Sequence, residues 1–177
     1  MFGPPGRGDR IARRIIVPLL IVFILVTAVF NVWFDQTFVD GDSMEPTLRH
    51  GDRVLVTKAY DTPRRGDVVL VLARPRGGGP EREFLKRVVA IEGDTIAVVR
   101  GVAIVNGAQE PGEYATLLSQ DDITTREIKV PAGTVFTLGD NRPISYDSRF
   151  YGPAPIEAVL GRVIAIWAPI GRIGRVD

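Results

Sequence analysis

Phe84-Leu85-Lys86-Arg87-Val88-Val89-Ala90-Ile91 is an apolar run rich in β-branched residues, interrupted by two cations and stopped by Glu92-Gly93-Asp94. It reads as a β-strand closed by a turn, because β-branched side chains suit a pleated surface and Gly-Asp suits a chain reversal. With side chains alternating across the strand, Lys86 shares a face with Phe84, Val88 and Ala90, and Arg87 shares the other with Leu85, Val89 and Ile91. One cation must then face an apolar surface, unless both aliphatic stems snorkel at a sheet edge.

Runs of the same kind recur on both sides: Arg53 to Thr57, Asp67 to Ala73, Thr95 to Val99, Val102 to Val105, Glu127 to Val130, Val135 to Leu138 and Leu160 to Ile166. Together they predict an all-β domain. Gly101 and the pair Asn106-Gly107 mark tight hairpins. Gly-Asp pairs at Gly41, Gly51, Gly66, Gly93 and Gly139 read as turns, and their unequal spacings argue against a repeat architecture. The segment 74–82, centred on Gly77-Gly78-Gly79, reads as a hairpin tip. It lacks the Lys-Ser/Thr and the following helix of a phosphate loop, so no nucleotide is expected. Residues 108–126 are polar and weakly patterned, a surface excursion with room for one helical turn.

Ahead of this domain, no charged residue occurs from Ile15 to Phe34. As a helix that run spans about 30 Å, the thickness of a bilayer core. A buried core helix would carry a polar stripe, but only Thr27 and Asn31 are polar here; a cleaved signal peptide would end in small residues, not Asn31-Val32-Trp33-Phe34. Pro18 falls in the first turn of the run, where a missing N–H does least harm. Arg7, Arg10, Arg13 and Arg14 mark a cytoplasmic flank, and Trp33 with Phe34 suits the far interface. The expected organisation is a basic cytoplasmic tail (1–14), a transmembrane helix (15–34) and an extracytoplasmic domain (35–177).

Composition narrows the chemistry. The 22 Lys and Arg against 21 Asp and Glu leave a net charge of +1, so nothing calls for nucleic acid. The absence of cysteine excludes disulfides, thiolate metal sites and cysteine nucleophiles, and a single histidine, His50, leaves any metal site almost wholly to carboxylates; no metal or cofactor is expected. For a hydrolase, serine with lysine then becomes an attractive pairing. Ser43, in Gly41-Asp42-Ser43-Met44-Glu45-Pro46-Thr47-Leu48, is equally an ordinary turn residue by its local chemistry.

Four blocks decide between these readings. They are Gly41 to Leu48, Gly66-Asp67-Val68-Val69, Leu85 to Asp94, and Gly139-Asp140-Asn141-Arg142-Pro143-Ile144-Ser145-Tyr146-Asp147-Ser148-Arg149. In this order, behind an N-terminal anchor, they resemble the bacterial type I signal peptidases, membrane-bound serine proteases with a Ser/Lys dyad that remove signal peptides from exported proteins. The resemblance implies a β-rich catalytic domain of antiparallel sheets, with Ser43 as nucleophile, Lys86 as general base and Ser145 hydrogen-bonded to the Lys86 amine. It implies an oxyanion site built on the Ser43 N–H; where some relatives add a serine hydroxyl, this chain has Gly41, so the second donor stays open. Asp147 and Arg149 would form a structural ion pair, against the alternative of an ordinary surface pair. Pro143 and Ile144 depart from the more polar residues usual in that block.

A free lysine, with a pKa of about 10.4, is a poor base at neutral pH, and burial beside Phe84 and Val88 is what could lower it. The resemblance makes Val39, Met44, Leu48 and Leu85 walls of shallow pockets for the small residues of an Ala-x-Ala cleavage site, with the peptide bound as an extra strand. Ser43 follows Phe34 by nine residues, at most about 30 Å of extended chain, which keeps the site near a lipid surface. Partners would be signal peptides of exported proteins and membrane lipid, at a bacterial plasma membrane. Two rivals remain: a membrane-tethered β-domain that binds exported peptides without turnover, and a hydrolase pairing Ser43 with His50.

Overall fold

The computed structural model describes residues 7–75, 78–112 and 124–176. The chain divides into two compact units, Met1–Phe34 and Asp35–Asp177.

The first unit is α1 (Arg7–Trp33). Its segment Ala12–Trp33 is long and apolar enough to cross a membrane, and every side chain in it is exposed. The helix starts well before the apolar run, because nothing between Arg7 and Arg14 stops it. Pro18 therefore lies in the helix interior, not in a first turn, and removes one backbone donor there. Phe34 belongs to the next element instead of the helix.

In the second unit the described strands form two sheets. The larger contains β1 (Phe34–Phe38), β2 (Arg53–Thr57), β3 (Val68–Ala73), β4 (Arg82–Ile91), β9 (Thr134–Leu138), β10 (Ala154–Pro155), β11 (Val159–Ala168) and β12 (Gly174–Arg175). Its order is β1-β2-β11-β3-β4-β9-β10, with β12 paired to β11. The smaller sheet runs β7 (Ala108–Gln109), β6 (Val102–Val105), β5 (Thr95–Val99), β8 (Ile128–Lys129). The registered pairs in both sheets are antiparallel.

Each predicted run is a strand, with ends shifted by no more than two residues. The β3 sequence Val-Val-Leu-Val-Leu-Ala is apolar throughout because both faces are covered. Val68 and Leu70 join the core around Met44 and Leu48, while Val69 and Val71 join the one containing Val88 and Val135. A third core, including Val89, Phe136, Ile96 and Val98, cements the small sheet to the large one. The simple alternation expected along β4 fails beyond Val88. A bulge between Val88 and Ala90 inserts Val89, so Ala90 joins the inter-sheet core instead of sharing a face with Val88. The β5–β6 hairpin turns on Arg100 and Gly101, with φ of 49° and 84°, and Asn106-Gly107 turns β6 into β7 with 52° and 80°. The tip expected at 74–82 joins β3 to β4, with residues 76–77 outside the described residues. Of the excursion predicted at 108–126, residues 113–123 and their expected helical turn lie outside the described residues.

Candidate active site

Ser43 stands in the loop after β1, which is tied at its base by Val39 N–H to the Asp52 carbonyl (2.9 Å) and Gly51 N–H to the Val39 carbonyl (3.0 Å). On either side of the serine the loop is nailed down by apolar burial, since Val39, Met44 and Leu48 are at most 3% exposed. Arg172 holds the far limb, donating to both Asp52 carboxylate oxygens (2.8 and 2.9 Å) and to the Thr47 carbonyl (3.1 Å). Asn141 grips the serine's own peptide groups: its N–H donates to the Ser43 carbonyl and its side-chain amide to the Asp42 carbonyl, both at 3.1 Å. In a trans peptide C=O and N–H point opposite ways. Holding the Asp42 carbonyl therefore turns the Ser43 N–H away from Asn141, as an oxyanion donor requires.

Lys86 reaches the same serine from β4. Its Nζ lies 2.8 Å from Ser43 Oγ and donates to the Leu85 carbonyl at 2.7 Å. Lys86 and Arg87 are each 2% exposed, yet their charges meet opposite fates. The Arg87 guanidinium forks onto Asp140 (2.9 and 2.8 Å) and also donates to the Gly66 carbonyl and Thr47 Oγ1. The hydrogen bonds of Lys86 go to a hydroxyl and a carbonyl, and Phe84 covers its amine, the ring centre 5.6 Å away. Burial accordingly pulls its pKa from 10.5 down to about 8; Asp147 and Asp140 oppose that fall, and Arg149 adds to it.

The fourth block wraps behind this pair. Arg149 forks onto Asp147 (2.8 and 2.9 Å) with both side chains wholly buried, so this is no surface pair. Arg149 also donates to the carbonyls of Arg142 (2.7 Å) and Ser145 (3.1 Å), while Asp147 accepts the Gly139 N–H (3.1 Å). The ion pair thus closes the 139–149 loop on itself.

Several expectations need correction. Ser145 is buried near Ser43, but among the described residues its Oγ has no hydrogen-bond partner, and the Lys86 ammonium donates instead to the Leu85 carbonyl. A backbone carbonyl is an acceptor only, with no proton of its own to place, and so suits a buried cation. Met44 and Leu48 do not line the cleft beside Ser43; they lie in the core beneath it. The cleft, about 150 Å³, is walled by Val39, Leu70, Phe84 and Leu85, with Asp40 and Glu83 also lining it. Gly41 has φ +96° and gives its N–H to His50 Nδ1 (3.1 Å), which takes that group out of the oxyanion donors. An imidazole that accepts at Nδ1 carries its hydrogen on Nε2, so the nitrogen a serine hydroxyl would need as an acceptor is a donor.

Gly139 is the least foreseen member. Glycines 41, 51, 66 and 93 have φ of +96°, +93°, +94° and +85°, as turns require, but Gly139 is outside that group. Its need is steric: an added Cβ would stand within 2.5 Å of the Ser145 side chain and the Ser43 carbonyl oxygen. Gly139→Ala is expected to lower kcat/KM by at least about a hundredfold and to destabilise the fold by roughly 1–3 kcal/mol, because backbone must shift beside Ser43. Kinetics of the purified variant with a parallel unfolding curve check this, and wild-type kcat/KM would show the close approach to be unimportant.

The family described as signal peptidase, peptidase S26, matches residues 12–168. Signal peptidase I of Leptolyngbya laminosa is 34% identical over 147 residues, 79% of this chain and 71% of that protein. The probable signal peptidase I-1 of Synechocystis sp. is 30% identical over 167 residues, covering 90% of this chain and 84% of the relative. A signal peptidase I crystal structure from Enterococcus faecalis superposes with a TM-score of 0.45 at 24% identity, over 59% of this chain and 98% of that one. The family match runs from the apolar helix through the serine loop, the lysine strand and the 139–149 loop, and this chain belongs to the S26 signal peptidases.

Proposed function

We propose that Ser43 is the nucleophile and Lys86 the general base of a membrane-anchored serine endopeptidase that removes signal peptides from exported proteins. The observation that carries this reading is the 2.8 Å approach of Lys86 Nζ to Ser43 Oγ at a lysine 2% exposed. The neutral amine takes the Ser43 hydroxyl proton as Oγ attacks the scissile carbonyl. The resulting oxyanion accepts the Ser43 N–H, and the protonated amine then gives its proton to the departing amine, leaving an acyl-serine. Water, deprotonated by the same lysine, releases the acyl group and frees Ser43.

The cleft fits small side chains. Val39, Phe84 and Leu85 leave about 150 Å³ beside the nucleophile, which suits the alanines of an Ala-x-Ala site on an extended peptide. The arginines ahead of the apolar run, from Arg7 to Arg14, favour a cytoplasmic N-terminus, which sets residues 35–177 outside a bacterial plasma membrane with lipid around the helix.

The test is cleavage of a fluorogenic signal-peptide substrate by the full chain in detergent, followed against pH. With a base titrating at about 8, only about a tenth is neutral at pH 7 and about a hundredth at pH 6. Log kcat/KM is expected to climb with unit slope and bend near pH 8, with a single cut after the small residue. A profile flat from pH 6 to 9 would remove Lys86 from the base role.

A further inference from the structure

The small sheet supplies no group to the chemistry above, yet it holds the loop that does. Arg142, within 139–149, has no exposed surface and is among the largest wholly buried side chains. Its guanidinium forks onto Glu110, with Nη1 on Oε1 and Nη2 on Oε2 at 2.7 Å. Nη1 also donates to the Gly101 carbonyl (2.6 Å), in the turn between β5 and β6, and Nε to the Gly139 carbonyl (3.0 Å). Glu110, which follows β7, is itself steadied by the Ala103 N–H of β6 (2.9 Å). The small sheet therefore grips one side chain of the active-site loop through a carboxylate and a carbonyl.

The residues joined to Arg142 give this grip its meaning. Asn141, its neighbour, holds the Asp42 and Ser43 carbonyls, and Gly139 lies against Ser43 and Ser145. The Arg142 carbonyl takes the Arg149 guanidinium, which is forked onto Asp147. A buried ion pair is a weak source of stability, since desolvation offsets most of its attraction, but an arginine fork fixes direction.

We infer that Glu110 is a positioning residue for the peptidase reaction: by fixing Arg142 it fixes Asn141 and the loop wall against the Ser43 peptide groups, from a sheet otherwise remote from the site. This rests on the Ser43/Lys86 reading above. The cleft walls Val39, Phe84 and Leu85 lie on other segments, so losing the grip disturbs attack and not peptide binding.

Two variants of the full chain in detergent test it, each assayed per folded molecule. Glu110→Gln keeps the shape but turns an amide N–H₂ toward guanidinium donors. Glu110→Leu with Arg142→Met replaces the pair by apolar volume and keeps the core filled. Both are expected to lose kcat ten- to a hundredfold with KM within threefold of wild type. The acid limb should move upward by half a pH unit or more as water reaches Lys86, and Glu110→Asp should recover most of kcat. A pair that only stabilises would move the melting temperature and leave kcat, KM and the limb alone; that result in either folded variant overturns the inference. Failure of both to fold overturns it too, since the pair would then hold up the whole domain. Ser43→Ala in the same assay separates the two readings: activity surviving there sinks the dyad itself, whereas an inactive Ser43→Ala beside wild-type kcat in the Glu110 variants sinks only this inference.

Discussion

Lys86→Arg is expected to reduce kcat/KM by at least about 10³- to 10⁴-fold although size and charge are nearly kept, because guanidinium does not release its proton at any pH the fold survives. The approach to Ser43 Oγ is useful only while the amine can be neutral, and what allows that is burial with no carboxylate hydrogen-bonded to it. Arg87 one residue along shows the alternative: equally buried, it is neutralised by the Asp140 fork and keeps its charge for structure. The arrangement at Lys86 must cost stability, and the sign follows from proton binding. The folded-state value of about 8 lies below 10.5, so between them the unfolded chain binds more protons, and stability rises with pH across that window. Below about pH 8 the full cost, about 3 kcal/mol, is present; above pH 10.5 it is gone. Lys86→Met lacks that dependence. Denaturant unfolding of wild type and Lys86→Met in the same detergent should show wild type gaining about 3 kcal/mol on the variant between pH 6 and pH 11. A stability difference constant over that range, or an active Lys86→Arg, would mean that Lys86 is a structural cation.

Much of this was legible where side-chain period and turn chemistry agreed. Arg53–Thr57, Thr95–Val99 and Val102–Val105 are strands with the bounds their β-branched runs and flanking turns suggest. The strands Ala108–Gln109, Ala154–Pro155 and Gly174–Arg175 are two residues long, so no period can betray them; neighbours, not composition, make them strands. The bulge at Val89 was hidden for a related reason: Val-Val-Ala-Ile is apolar in any register, so the pattern cannot tell which face each residue takes.

At the site, residue identities could be read and directions could not. Ser43 and Lys86 come together from positions 43 residues apart, but Ser145 Oγ makes no bond to the lysine, and Gly139 looks like any other Gly-Asp turn until the Ser43 carbonyl is set against it. Glu110 was hidden too, since it sits near the start of a polar stretch whose composition marks it as surface. Only pairing with Arg142 explains its burial, and that partner lies 32 residues away.

Ser43→Ala is expected to cut kcat/KM by about 10⁴- to 10⁶-fold while the domain folds and still binds signal peptide. Folding should survive because the loop is held by everything except the hydroxyl: Met44 and Leu48 in the core, Asn141 on the two carbonyls, Arg172 on Asp52 and the Thr47 carbonyl. Losing Oγ removes one hydrogen bond to Lys86 at a half-buried position, and the amine keeps Leu85, so stability should change by only about 1 kcal/mol. Binding should survive because the cleft is walled by Val39, Leu70, Phe84 and Leu85. The variant is thus expected to capture an Ala-x-Ala peptide with a Kd within about threefold of that measured for wild type before turnover, read by fluorescence anisotropy, and to show no acid limb in whatever residual rate remains. A variant that binds and does not cut places the chemistry on the hydroxyl. One that cuts within a hundredfold of wild type would move the nucleophile elsewhere, and one that neither binds nor folds would make Ser43 part of the scaffold.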